Sequence, residues 1–276
     1  MRLLPLLVPL IVACNASPRA SALPERDAQL HFTDSLTGTE HTAQKRTLAE
    51  RYGLSLVTGF DPYYQRERRF FAVPMARVLT DAFPGVDLAR ANLVLRARDG
   101  YAVPMVGARL LDGTAWLALA DAEHVGSWDV IGPRRADPAP FYLVWSGPDR
   151  ADLERFPRPW ALERIEHTRF EVLYSHTVPT SGSREAQHGY ELFRVACIAC
   201  HAVNREGGRI GPELNVPQSI VEYRPREQIR AYIRDPLTFR YGAMPAHPEL
   251  TEADLDALLA YFDDMRSHKF DPERAK

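Results

Sequence analysis

The chain has 276 residues, 45% of them hydrophobic and 25% charged, the profile of a folded protein of about two domains rather than a disordered or fibrous one. Its 34 basic and 36 acidic side chains leave a formal charge of −2, so no basic field exists to hold nucleic acid, and no nucleic-acid partner is expected. Three cysteines, at positions 14, 197 and 200, are too few for a disulfide framework.

The chain opens with one positive charge, Arg2, and an apolar run over 3–13. That run is shorter than the ~20 residues a membrane-spanning helix needs and fits the apolar core of a signal peptide. Pro5 and Pro9 also weaken any helix there. Residues 1–13 are therefore expected to be a leader. Ile11-Val12-Ala13-Cys14 resembles the lipobox of bacterial lipoproteins. The resemblance implies that Cys14 is lipidated and begins the mature chain; the alternative is an ordinary secretory leader in which Cys14 is incidental. Several acyl chains together anchor stably where one does not. Asn15 is not the Asp that in that family favours the inner membrane, so the expected location is the bacterial periplasm, tied to either membrane. Residues 14–29, without periodicity, read as a tether.

Residues 30–175 show short apolar or alternating runs at 54–58, 70–73, 92–98, 101–106, 116–120, 141–145 and 170–174, which predict strands. Turn signals such as Arg98-Asp99-Gly100 and Leu111-Asp112-Gly113 separate them. Helices are predicted over 43–52 and 74–83, making this an α+β domain of mixed sheets. The string from Asn92 to Pro104, the later Phe141-Tyr-Leu-Val-Trp145, and Trp160 with Ile165-Glu166 follow one another in an order similar to the molybdopterin-binding domain of sulfite oxidase-type oxidoreductases. Catalytic members of that family bind molybdenum through a cysteine thiolate, and 30–175 contains no cysteine. The expectation is a domain without molybdenum, used for docking, for positioning a cofactor or for holding a small ligand. The histidines at 31, 41, 124, 167 and 176 form no ligand pattern, and no residue is assigned a catalytic role.

A linker is expected over 176–186, rich in Ser, Pro and Gly. Beyond it lies Cys197-Ile198-Ala199-Cys200-His201, the C-x-x-C-H signature of c-type haem attachment. The spacing suits the chemistry: two thiols add to the two vinyl groups on one porphyrin edge, and the next residue reaches under the iron. A redox dithiol or half a zinc site would use the same residues. The first lacks a surrounding βαβ pattern and the second lacks another ligand pair.

Around the motif, residues 183–196 predict an amphipathic helix with Gly189, Tyr190 and Phe193 on one side. A last helix should open at Thr251, with Asp254 completing a capping-box-like pattern and Leu255, Leu258, Leu259 and Phe262 forming its apolar stripe. Residues 187–270 thus resemble a small all-α class I cytochrome c domain. The resemblance implies crossing first and last helices, Gly189 and Phe193 meeting Tyr261 or Phe262. It implies one covalent haem c on Cys197 and Cys200, His201 as proximal iron ligand, and the Pro212 carbonyl holding the His201 ring. It makes Met244, in Gly242-Ala243-Met244-Pro245, the distal ligand, with His247 as the rival. Arg226, Arg230 and Arg234, at helical spacing, read first as a solvated face and otherwise as partners for propionates or a docking protein.

The expected function is that of a membrane-anchored mono-haem cytochrome passing single electrons between a dehydrogenase or quinol-oxidising complex and a downstream acceptor. The partners would be periplasmic or membrane redox proteins, and the exit path the porphyrin edge near the thioethers. A haem-containing oxidoreductase whose middle domain oxidises a small substrate, or an accessory subunit of a respiratory complex, are the alternatives. An electron carrier is favoured over a self-contained enzyme.

Overall fold

The computed structural model describes residues 23–271 apart from 125, 133, 154 and 243. Cys14, the leader and most of the tether lie outside the described residues. No helix among the described residues is long and apolar enough to cross a membrane.

The N-terminal unit is built from two sheets. Strands β1 (Gln29–Asp34) and β2 (Thr39–Gln44) form a hairpin, and helix α1 (Lys45–Tyr52) follows directly. Strands β3 (Ser55–Asp61) and β4 (Arg66–Pro74) form a second hairpin, leading into α2 (Met75–Ala82). Strands β5 (Asn92–Ala97) and β6 (Ala102–Val106) flank the Arg98-Asp99-Gly100 turn, and a short α3 (Gly107–Leu110) precedes β7 (Ala115–Asp121). Strands β8 (Tyr142–Trp145) and β9 (Leu162–Thr168) complete the unit.

One sheet has the order β2-β1-β9-β5-β6 and the other β3-β4-β7-β8. All neighbours are antiparallel except β1 and β9, so the sheet is mixed, as the sequence predicts. The main core lies between the sheets and under α2, with Leu30, Phe32, Val73, Met75, Leu79, Leu93, Leu95, Leu117, Leu143 and Ile165 buried. A second cluster covers the outer face of the four-stranded sheet, including Phe70, Trp128, Tyr142 and Val144. That is why all four residues of β8 are apolar: Leu143 and Trp145 enter one core, Tyr142 and Val144 the other.

Two sequence expectations change here. The hairpin β1–β2 was not among the predicted strands, because its exposed edge strand Thr-Glu-His-Thr-Ala-Gln carries no apolar alternation. The run 170–174 is not a strand: Phe170–Leu173 is a helical turn, α4, and Tyr174 is buried beyond it. The strand lies earlier, in β9, where the polar Arg164 and Glu166 are satisfied across the sheet by Thr33 and Arg96. Phe170, Leu173 and Tyr174 pack instead into the C-terminal core.

The C-terminal unit contains α5 (Arg184–Leu192), α6 (Ile220–Tyr223), α7 (Arg226–Arg234) and α8 (Glu252–Arg266). It is not purely helical, because Ala202–Val203 pairs with Glu206–Gly207. Helix α8 starts with a complete capping box between Thr251 and Asp254, and Leu255, Leu258, Leu259 and Phe262 are all buried. Helices α5 and α8 cross at Gly189, where an added Cβ would stand 2.0 Å from the Ala257 carbonyl oxygen and 2.8 Å from Tyr261 Cβ. Phe193 packs on Tyr261 at 5.4 Å and on Phe262 at 6.2 Å, so both aromatics meet it.

The segment expected as a linker is fastened down. Thr177 is fully buried, and its carbonyl accepts a hydrogen bond from the Tyr261 hydroxyl at 2.8 Å. Asp264 accepts from the backbone N–H groups of Thr180 and Ser181, and Ser183 caps α5.

Candidate haem-attachment site

Helix α5 does not stop at Leu192. It widens into a turn over Phe193–Cys197, closed by the Ile198 N–H donating to the Phe193 carbonyl at 2.9 Å. Such five-residue turns recur at functional sites. The next turn is tight: Cys200 and His201 both donate backbone N–H groups to the Cys197 carbonyl, at 3.0 and 2.9 Å. Two free cysteines and a histidine are thereby gathered on one short bend.

The His201 ring is held from the far side of its loop. Its Nδ1 lies 2.8 Å from the Pro212 carbonyl oxygen, which can only accept. Nδ1 therefore carries the proton, and in the neutral ring Nε2 is left with its lone pair. Burial holds the imidazole pKa below its usual value, against the opposing pull of the Pro212 carbonyl and Glu213, which favours that neutral form. At Gly211 an added Cβ would stand 2.5 Å from His201 Cε1 and 2.7 Å from Nδ1, so any larger residue would push the ring aside. The loop thus fixes both the tautomer and the plane of the imidazole, as a metal-ligating histidine requires.

Burial pushes the Cys197 thiol up to about 12, with Cys200 adding to it. Burial and then Asp99 push Cys200 up to about 11. A redox dithiol is activated by a lowered thiol pKa, and burial acts in the opposite direction on both of these. Among the described residues no group of three or more His, Cys, Asp or Glu side chains is gathered as a metal site would need. The donor set fits haem c: two adjacent thiols for the vinyl groups, and an imidazole nitrogen with a free lone pair for iron.

Met244 and His247 both stand in the irregular segment before α8. Met244 is half-buried. His247 has its Nδ1 2.9 Å from Glu249 Oε1 and its backbone N–H donating to the Ile233 carbonyl; the ring contact is of the kind that orients His201 and leaves Nε2 free. The arginine run on α7 is committed. Arg226 pairs with Asp263 at 2.8 Å, Arg234 with Glu252 at 2.7 Å, and Arg230 with Asp256, joining α7 to α8. These arginines form a helix–helix seam rather than a free basic patch.

Residues 184–262 match the family model for cytochrome c oxidase, cbb3-type, subunit III. The C-terminal unit is a c-type cytochrome domain. Such a domain binds haem c and transfers electrons. The chain is also 34% identical over 114 residues to cytochrome c oxidase subunit 2 of Alkalihalophilus pseudofirmus, an alignment covering 38% of this chain. It spans about a third of that relative's length.

Two features of the site are absent from the sequence expectations. Gly211 is the floor of the His201 ring, which the Gly-Pro pair hinted at. The N-terminal unit also reaches the attachment loop: the Ala102 N–H donates to the Ala199 carbonyl at 2.9 Å, and the Arg209 N–H to the Gly100 carbonyl at 2.8 Å.

Proposed function

We propose that this chain is a membrane-anchored periplasmic cytochrome carrying one haem c and passing single electrons between a dehydrogenase or quinol-oxidising complex and a terminal acceptor. The observation that carries this reading is the His201–Pro212 contact beside two free thiols on the same bend. Cys197 and Cys200 would hold the haem covalently, and His201 Nε2 would ligate its iron. Bound there, haem c supplies a one-electron couple. Pro212 and Gly211 hold the His201 ring in plane, and Met244, in the segment Gly242-Ala243-Met244-Pro245, would be the second iron ligand, with His247 as the rival. Iron held by two side chains in this way would serve as a relay rather than an oxygen-binding centre. Cys14 supplies the lipid anchor, which confines the carrier near membrane enzymes and raises its effective concentration there.

The oxidase-subunit relatives favour an acceptor of the terminal oxidase class, with the chain either shuttling to it or docked on it as an accessory subunit. Residues 30–175 act as a companion unit, similar to a molybdopterin-binding domain in order but without a cysteine to hold molybdenum. The test is metal content of the protein matured in a c-haem-competent periplasm, with the pyridine haemochrome spectrum. One iron per chain, no molybdenum, and loss of covalent haem in Cys197→Ala/Cys200→Ala are expected. Stoichiometric molybdenum would make the chain a self-contained oxidoreductase, and absence of iron would overturn the assignment.

A further inference from the structure

The seam between the two units runs along the haem-attachment loop itself. Three independent observations locate it. First, the two backbone hydrogen bonds from the β5–β6 turn flank Gly100 and land on Ala199, inside the C-x-x-C-H motif, and on Arg209. Second, Ala199 packs against the core of the N-terminal unit, as Tyr101 does. Third, the fit is close: a Cβ at Gly100 would lie 3.1 Å from Arg209 Cβ and 3.2 Å from its carbonyl carbon. Asp99 braces the turn by accepting from the Tyr101 N–H at 3.0 Å. Ala199 precedes Cys200 within the motif, so the turn sits against that end of the attachment loop. The seam then opens into a cavity of about 250 Å³ lined from both units, by Arg96 on one side and by Arg205, Glu206 and Arg209 on the other.

A flexibly tethered domain would not share paired backbone hydrogen bonds with its neighbour. Ala102 is buried and Gly100 and Ala199 partly so, so separating the units would break both bonds and open these groups to water. We infer that the 98–101 turn of the N-terminal unit is a fixed cover over the Cys200 side of the haem site, so that outside redox proteins exchange electrons with the C-terminal unit on another side. This rests on the haem reading of Cys197, Cys200 and His201. It replaces the expectation of an exit path at the thioether edge by Cys200.

The test uses the full haem-loaded chain. Hydrogen exchange in the unaltered protein should show the Ala102 and Arg209 amides protected by on the order of a hundredfold or more relative to exposed turn amides such as those of Gly147 and Asp149. Tyr101→Ala should speed exchange at both amides about tenfold and raise the rate at which ferricyanide oxidises the reduced haem several-fold. Tyr101→Phe, which keeps the ring, should change neither. Free exchange at 102 and 209 in the unaltered protein would overturn the cover. So would a Tyr101→Ala protein with loosened amides and an unchanged ferricyanide rate. The exchange arm on the unaltered protein needs no variant, and haem content by pyridine haemochrome separates failure of the haem reading from failure of the cover.

Discussion

Replacing Gly189 by alanine sets two effects of opposite sign against each other. In a helix interior the change by itself stabilises by roughly 0.5–1 kcal/mol, because glycine loses more backbone freedom on folding. At this position the new methyl would stand 2.0 Å from the Ala257 carbonyl oxygen and 2.5 Å from its carbon. Ordinary carbon–oxygen contacts lie near ~3.3 Å, so α5 and α8 would have to part by about 1 Å. A backbone carbonyl cannot swing away as a side chain can, which puts the cost at the upper end of the ~1–3 kcal/mol typical of overpacking. The net expectation is a loss of about 2 kcal/mol. For a domain of under 100 residues that lowers the melting temperature by roughly 8–16 °C. Thermal unfolding followed by circular dichroism in the helical and haem bands reads it directly. A melting temperature unchanged or raised by a few degrees would mean that helix propensity wins and that the crossing is looser than described.

Three further outcomes are expected. Met244→Ala should abolish the low-spin methionine-ligated spectrum of the oxidised haem while His247→Ala leaves it intact; the reverse pattern would move the distal ligand to His247. Asp254→Asn should destabilise the protein at neutral pH. The Thr251 hydroxyl, then its backbone N–H and His188, hold the Asp254 pKa at about 2, below the ordinary 3.8. The ionised carboxylate therefore stabilises fully above about pH 4, and that stabilisation is lost as pH falls toward 2. The gap between variant and parent, followed by denaturant melts, should close over that window; a gap constant down to pH 2 would refute the cap as its source. Arg68→Leu should cost about 3 kcal/mol in chemical unfolding, because it removes the buried guanidinium paired with Asp121 and Asp129, while the Glu123 and Asp129 N–H groups and His124 still face Asp121. A loss under ~1 kcal/mol would show that Asp121 finds other compensation.

Residue types exposed the Thr251–Asp254 capping box, a short-range relation that spacing and side-chain chemistry encode. Gly189 at a helix crossing and the Pro212 carbonyl at His201 were what the cytochrome resemblance implied, and the structure has both. The α7 arginines were legible as one helical face, but not the acids of α8 that they meet.

The N-terminal unit was legible strand by strand at 54–58, 70–73 and 92–106, yet not as a sheet order. Nothing local says that β9 slots between β1 and β5, since its polar residues find partners only once both neighbours are in place. The same limit hid the assignment of Phe170, Leu173 and Tyr174 to the second core, because an apolar run states that it will be buried but not against what. The sequence by itself determined the motif chemistry of 197–212 and the capped, amphipathic helices around it. Only the tertiary structure decided that the turn at 98–101 closes over that motif. The contact is made by backbone N–H and carbonyl groups, which every residue carries and which leave no mark in the choice of side chains.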